Sequence, residues 1–362
     1  MSTALHLLAM GLGILLLVVY FRSIVVVALL NSTTRDFVER GVRRSAVAIV
    51  HGFIRPHLSY AEIQQKQARI LPLFVLFAVL SWFVMVQLAF TCILWGLRLE
   101  PDLPRALAAS GSALSTLGFL TPPTVGGQYL AIFQAAIGLA VVMLLFTFVP
   151  GFLAATRTRE LRVGWLFART GGHTSSELYL GWLLNKKEVP GIDEGWEDWE
   201  RWFRGIRETH TLAPILTYVP SIYAGTSWLA ASLSVLDTAA ALVACLGERA
   251  PPEVRICLRE GSATLRLTAA ALEVGAPPRP ALHDTDALRF DRLHDAIVAA
   301  GLPVPDDRDA CFRQYAALHA EFAPCIEQIA AATLTPRALL DIGWDADIPA
   351  SAPATDPRAR IA

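Results

Sequence analysis

Hydrophobic positions along the chain fall into two regimes. In the first, apolar residues run almost without interruption: charge enters residues 5–30 only at His6 and Arg22, and residues 70–97 and 129–156 contain no Asp, Glu, Lys, Arg or His. Each run is long enough as a helix to cross about 30 Å of hydrocarbon. In the second regime, beyond residue 156, apolar positions recur at helical spacing between charges. The first run lacks the basic start and small-residue cleavage site of a signal peptide, so it is expected to be a span, with Arg22 snorkelling to the headgroups.

Basic residues in the connecting segments set the expected orientation. Residues 31–69 carry Arg35, Arg40, Arg43, Arg44, Arg55, Lys66 and Arg69, and residues 156–169 add Arg157, Arg159, Arg162 and Arg169, whereas 98–128 has only Arg98 and Arg105. The expectation is three crossings, with the N-terminus and 98–128 outside and the rest inside. Within 31–69, Val38, Val42, Val47, Ile49, Phe53 and Ile54 recur at near-helical spacing around Arg40, Arg43 and Arg44, which predicts a helix lying along the membrane surface.

The outside segment, PDLPRALAASGSALSTLGFLTPPTVGGQ, is too apolar for a solvated connection. Asp102 can cap a helix beginning at Leu103 and Pro104, and the helical run ends near Ser115, too short to span. A short outside helix followed by a Thr/Gly stretch and Pro122-Pro123 has the layout of a re-entrant loop. Backbone of that kind is tolerated at membrane depth only where it is buried or lines a water-filled path.

The string Ser115-Thr116-Leu117-Gly118-Phe119 resembles the selectivity filter of the tetrameric potassium-channel superfamily, whose filter reads Thr-hydrophobic-Gly-aromatic-Gly-Asp. The resemblance covers about residues 70–160 and matches four filter positions of six; Leu120 stands at the second Gly and Thr121 at the Asp. It implies an outer helix, a pore helix, a filter and an inner helix, with the carbonyls of Thr116, Leu117, Gly118 and Phe119 replacing the hydration shell of a permeating potassium or sodium ion. A branched Leu120 where the family needs positive φ implies a missing or wider outer ion site and weak selectivity. Gly138 falls near the family's inner-helix hinge. Val142, Phe146 and Pro150 follow it at i+4 steps, so the four are expected to share a pore-facing stripe in which Phe146 is the bulkiest group and Pro150 a second bending point.

In the C-terminal regime, Thr174-Ser175-Ser176-Glu177 predicts a helix start, and Trp196, Trp199, Phe203 and Ile206 predict a helix with an aromatic core face. Residues 227–246 are apolar enough for a fourth span. Their Ala-rich composition and central Ser232, Ser234 and Asp237 predict a buried helix of a soluble bundle instead. Further helices are expected at 251–274 (Gly275 stop), 285–300 (Gly301 stop) and 306–333 (bent at Pro324), then a disordered tail. The stretch from Trp196 to Thr211 also resembles the cytosolic part of bacterial proteins that carry a channel-type pore loop, a resemblance that brings no ligand with it.

Composition narrows the function classes. The chain is 54% hydrophobic and 17% charged, with mean hydropathy +0.45 and formal net charge −1. Soluble proteins carry about 25% charge, and nucleic-acid binding needs a clustered basic surface. Five scattered cysteines without a CxxC pair support neither a zinc site nor a disulfide framework, and packing is their expected role. No nucleotide loop or nucleophile–base arrangement marks an enzyme. His173 and His210 lie near acidic residues, but satisfied or surface histidines are the simpler expectation.

The sequence therefore predicts an all-α membrane protein: an N-terminal transmembrane helix (1–30), a cytosolic interfacial segment (31–69), a pore domain (70–156), a helical cytosolic domain (157–344) and a tail (345–362). The expected function is a homotetrameric, potassium-channel-like cation pore of the inner (plasma) membrane with weak or altered selectivity, without cofactor or metal beyond the permeating ion. Its partners are the lipid bilayer and its own copies, with a cytosolic ligand left open. The alternative is a non-conducting membrane-anchored sensor or scaffold.

Overall fold

The computed structural model describes residues 3–29, 34–55, 57–185, 195–273 and 284–342. The Gly275 stop and the 345–362 tail lie outside the described residues. Every regular element among the described residues is a helix, and four helices are long and apolar enough to cross a membrane. In three of them the most apolar window is largely exposed: 11% of it is buried in Thr3–Val27, 28% in Tyr60–Gly96 and 22% in Val125–Arg169. In Trp228–Arg249 it is 100% buried. Hydrophobicity thus has two causes here: three helices need an outside apolar medium, and the fourth is already covered by protein.

The chain divides into two compact units, Met1–Ile49 with Leu71–Leu153, and Val50–Ile70 with Ala154–Ala362. The first holds α1 (Thr3–Ile24) with a π-helical turn (Val25–Leu29), most of α2 (Phe37–Gly52), α4 (Ile70–Gly96), α5 (Leu103–Leu114) and the first part of α6 (Val125–Arg169). Helices α1 and α4 run antiparallel in close contact. A Cβ on Gly13 would lie 2.6 Å from the Ala89 carbonyl oxygen, and one on Gly96 would lie 2.7 Å from that of His6. Small residues permit such approach where lipid gives no hydrophobic drive for association. At the other end of α1, Asp36 is buried and caps α2, accepting from the backbone N–H groups of Val38 (3.1 Å) and Glu39 (3.0 Å). It also accepts from Ser23 Oγ at 2.7 Å, while Ser23 accepts from Trp82 Nε1 at 3.1 Å. Arg22 reaches the same carboxylate at 3.3 Å, so the expected snorkelling cation has a buried counter-ion.

The second unit is a bundle around α9 (Trp228–Leu246), every residue of which is buried. Packed against it are α7 (Ser176–Leu184), α10 (Pro252–Leu272), α11 (Asp284–Ala299), α12 (Arg308–His319), α13 (Ala323–Ala332) and α14 (Arg337–Ile342), with α8 (Trp196–Leu212) on α10. Trp196, Trp199, Phe203 and Ile206 are buried, the expected core face of α8. Three local expectations shift: Ser175 rather than Thr174 caps α7, α10 ends on Glu273 at φ +56, and the stretch around Pro324 is a break between α12 and α13 rather than a bend. The short helix α3 (Tyr60–Gln67) also belongs to this bundle. Its Tyr60 packs on Ala230 and Leu339, and Gln67 Nε2 donates to the Thr333 carbonyl at 2.5 Å.

At the centre of α9, Asp237 accepts from Arg289 (2.8 Å), Tyr315 (3.1 Å) and His319 Nδ1 (2.8 Å), and Asp286 completes the cluster on Arg289 at 3.2 Å. Burial alone would raise the Asp237 carboxyl, but Arg289 and His319 outweigh it and hold it below its ordinary value. Burial pushes His319 down, yet Asp237 and Asp286 together raise it. Removing one member of a buried pair costs about 3–5 kcal/mol because its partner is left charged and unpaired. Asp237→Ala is therefore expected to lower the Tm of the purified protein markedly. The His319 contribution is complete below its unfolded value and disappears as pH rises through the raised folded one. Wild-type Tm should accordingly fall as pH rises past the ordinary histidine value, with a shallower slope in His319→Gln.

Candidate functional site: a half-helix and its loop

Helix α5 begins where the sequence places it. The Asp102 side chain accepts from the Arg105 N–H at 2.8 Å and proline occupies the first turn, where its missing donor costs nothing. Glu100, with its side chain wholly buried, pairs with Arg105 Nε at 3.0 Å beside this start. The helix is fixed between α4 and α6 by polar groups rather than by apolar contact alone. Ser110 Oγ donates to the Gln87 carbonyl of α4 at 2.9 Å and accepts from Gln134 Nε2 of α6 at 2.8 Å. Ser110 and Gln134 are both completely buried.

Ser112, also completely buried, organises the loop that follows. Its carbonyl accepts from the N–H groups of Leu117 (3.1 Å) and Gly118 (3.2 Å), and its Oγ accepts from the N–H of Leu120 (3.0 Å). Together with the Thr116 N–H on the Ala113 carbonyl at 3.0 Å, this is a Schellman stop in which Thr116, at φ +60, takes the left-handed position. No peptide among the described residues is cis, and in a planar trans peptide the C=O points opposite to the N–H. With the N–H groups of 117, 118 and 120 turned toward Ser112, the carbonyls of Thr116, Leu117 and Phe119 are turned away from it. None of the carbonyls from Thr116 to Phe119 accepts a hydrogen bond among the described residues. Residues 115–119 are exposed, with Leu117 72% and Phe119 71% accessible in the single chain.

Leu120 departs from its expected conformation. Positive φ occurs at Thr116 and Gly118 but not at Leu120, which is half-buried against the Leu94, Ala106 and Ala109 cluster. It anchors the end of the loop and carries no left-handed strain, so the strain expected at Leu120 is absent.

The four residues expected on one stripe of α6 have different surroundings. Gly138 is buried, and a Cβ there would lie 2.6 Å from the Leu114 carbonyl oxygen, so this glycine seats the end of α5. Val142 and Phe146 are 38% and 75% exposed, and Pro150 is exposed within an uninterrupted α6. Phe148 is half-buried and stacks on Phe152 at 6.2 Å between ring centroids, away from Phe146.

In the second unit, Arg159 of α6 donates to the Leu216 (3.2 Å) and Val219 (2.9 Å) carbonyls and lies 2.8 Å from Glu160. Its Nη1 also lies 3.2 Å from His210 Nε2. Burial first, and the adjacent Arg159 guanidinium second, push His210 well below its ordinary value, so it is neutral. Among the described residues no group of three or more His, Cys, Asp and Glu side chains is placed to hold a metal. No family model, curated protein or solved structure matches this chain.

Sequence reasoning named the loop residues but missed Ser110, Ser112, Gln87 and Gln134, which hold them. The available signal was Gln134 inside an otherwise apolar run, since polar side chains at membrane depth are costly and are retained where they bond, whereas Gln87 acts through its backbone carbonyl, which no side chain announces. Gly138→Ala is expected to push α5 off its seat and destabilise the protein by about 1–3 kcal/mol, the usual scale of overpacking. Gly151→Ala, where an added Cβ meets nothing within 4 Å, should not lower Tm. Melting of the two variants in detergent tests the pair.

Proposed function

We propose that the chain is one subunit of a homotetrameric cation channel of the plasma (inner) membrane. In this reading α1, α4 and α6 cross the bilayer, α5 and its loop re-enter from the outer face, and the second unit lies in the cytosol. The observation that carries it is the orientation of the loop backbone: the N–H groups of Leu117, Gly118 and Leu120 on Ser112 leave the carbonyls of Thr116, Leu117 and Phe119 turned away from it and without hydrogen bonds among the described residues. Carbonyls at membrane depth require a partner, and a ring of them around a dehydrated cation supplies it. Four copies also give the exposed Leu117 and Phe119 side chains neighbours to pack on. The filter likeness and the three lipid-facing helices agree with this reading, and the buried α9 accounts for the fourth apolar run without a fourth crossing.

Leu120 is anchored on the Leu94, Ala106 and Ala109 cluster instead of continuing the file of carbonyls, and Thr121 stands where the family has Asp, so with fewer carbonyl sites the pore is expected to discriminate weakly between potassium and sodium. In a planar bilayer with potassium on one side and sodium on the other, the current should reverse close to zero voltage. A strongly displaced reversal potential would refute the weak selectivity, and absence of any current would refute the channel.

Phe146 is the candidate gate. Four copies of a large ring exposed on the inner part of α6 make an apolar constriction that closes by dewetting. The unbroken helix carries motion from Arg159 to that ring, with Pro150 as the point of bending. Phe146→Ala is expected to raise basal conductance, and Phe148→Ala, whose ring stacks on Phe152, should leave it near wild type. Equal effects would place the gate elsewhere.

A further inference from the structure

The turn at residues 219–226 presents two large exposed side chains, Ile222 (64%) and Tyr223 (65%), on a rigid support. The Tyr223 carbonyl accepts from the Thr226 N–H (3.1 Å) and Oγ1 (2.7 Å), and Ser221 Oγ accepts from the Trp228 N–H at 3.1 Å. Two other segments grip the same turn. Gln64 of α3 accepts from the Gly225 N–H at 2.7 Å and donates to the Thr226 carbonyl at 2.8 Å. Arg159 of α6 donates to the Val219 and Pro220 carbonyls at 2.9 and 3.4 Å.

Both grips sit beside a bilayer crossing along the chain. Arg159 is three residues beyond Thr156, the last of the uncharged run, a helical rise of about 4.5 Å. Gln64 is six residues before Ile70, where the other uncharged run begins, about 22 Å at most even if fully extended. A turn held at once by the segment that leaves one span and the segment that enters another lies at the membrane-proximal end of the cytosolic bundle. A rigid apolar-plus-Tyr pair there matches the chemistry of the headgroup layer, where an aromatic body is buried and its hydroxyl stays wet.

We propose that Ile222 and Tyr223 form an interfacial anchor that docks the cytosolic bundle on the inner leaflet. This rests on the three-crossing reading above but not on conduction. The test is electron paramagnetic resonance of nitroxide labels at Ile222→Cys and Tyr223→Cys, each in a Cys92→Ala background and reconstituted in phosphatidylcholine–phosphatidylglycerol vesicles. Val298→Cys, at an exposed bundle position, is the aqueous reference, and Leu88→Cys, at an exposed α4 position, is the lipid reference.

The expected result is that a water-soluble nickel relaxant broadens the labels at 222 and 223 several-fold less than at 298, while oxygen relaxes them more. Full nickel access at 222 and 223 with a lipid-like signal at 88 would overturn the anchor and leave the membrane reading standing. Nickel access at 88 as well would overturn both. Spin–spin broadening at 222 or 223 that vanishes on dilution with unlabelled subunits would assign the surface to a second copy and overturn the lipid assignment.

Discussion

Backbone that leaves a helix must find new partners for its N–H and C=O groups, and the first unit is arranged around that requirement. Helices α1, α4 and α6 meet it internally. The stretch after α5 cannot, and one serine resolves half of the problem: Ser112 takes three N–H groups with its carbonyl and hydroxyl together. Satisfying the donors this way commits the acceptors to the opposite side. The buried Ser110–Gln134 bond and the contact between Gly138 and the Leu114 carbonyl then hold α5 at the one position from which Ser112 can act.

Much of this was legible in the sequence because its physical cause is local. Uncharged runs, the Asp102 cap and the Ser-Thr-Leu-Gly-Phe string each declare themselves within a few residues. What could not be read depends on contacts between distant positions. The conformation of Leu120 follows from Ser112 and from the cluster around Ala106, not from its place in a filter pattern. Gly138 looks like a hinge when α6 is considered alone and is a seat once α5 is present. The i+4 rule that joined Gly138 to Phe146 treats a helix as a surface with one face that matters, whereas α6 has one face turned to α5 and another left open.

The same distinction separates the two kinds of apolar helix. Length and hydropathy group α9 with α1, α4 and α6, and its Ala-rich composition with Ser232, Ser234 and the central Asp237 set it apart in the sequence. The structure shows what that aspartate meets: Arg289, Tyr315 and His319 from two other helices of the bundle, so the charge is matched inside protein. An ionic centre of this kind contributes little net stability over a well-packed apolar one, and removing any one partner leaves the others buried and unmatched.

Helix α3 gives the second unit an unusual order of assembly. Its residues Tyr60, Gln64 and Gln67 fill places among Ala230, Thr226 and Thr333, yet the chain that joins them passes through α4, α5 and α6 first. During synthesis α3 emerges early and cannot dock until α4, α5, α6 and the C-terminal helices have followed. The bundle is thereby completed only after the whole of the first unit has been made. A chain that stopped short of Thr333 would leave Gln67 without the carbonyl it bonds and Tyr60 without Leu339 to pack on, so the slots that α3 fills would stay open.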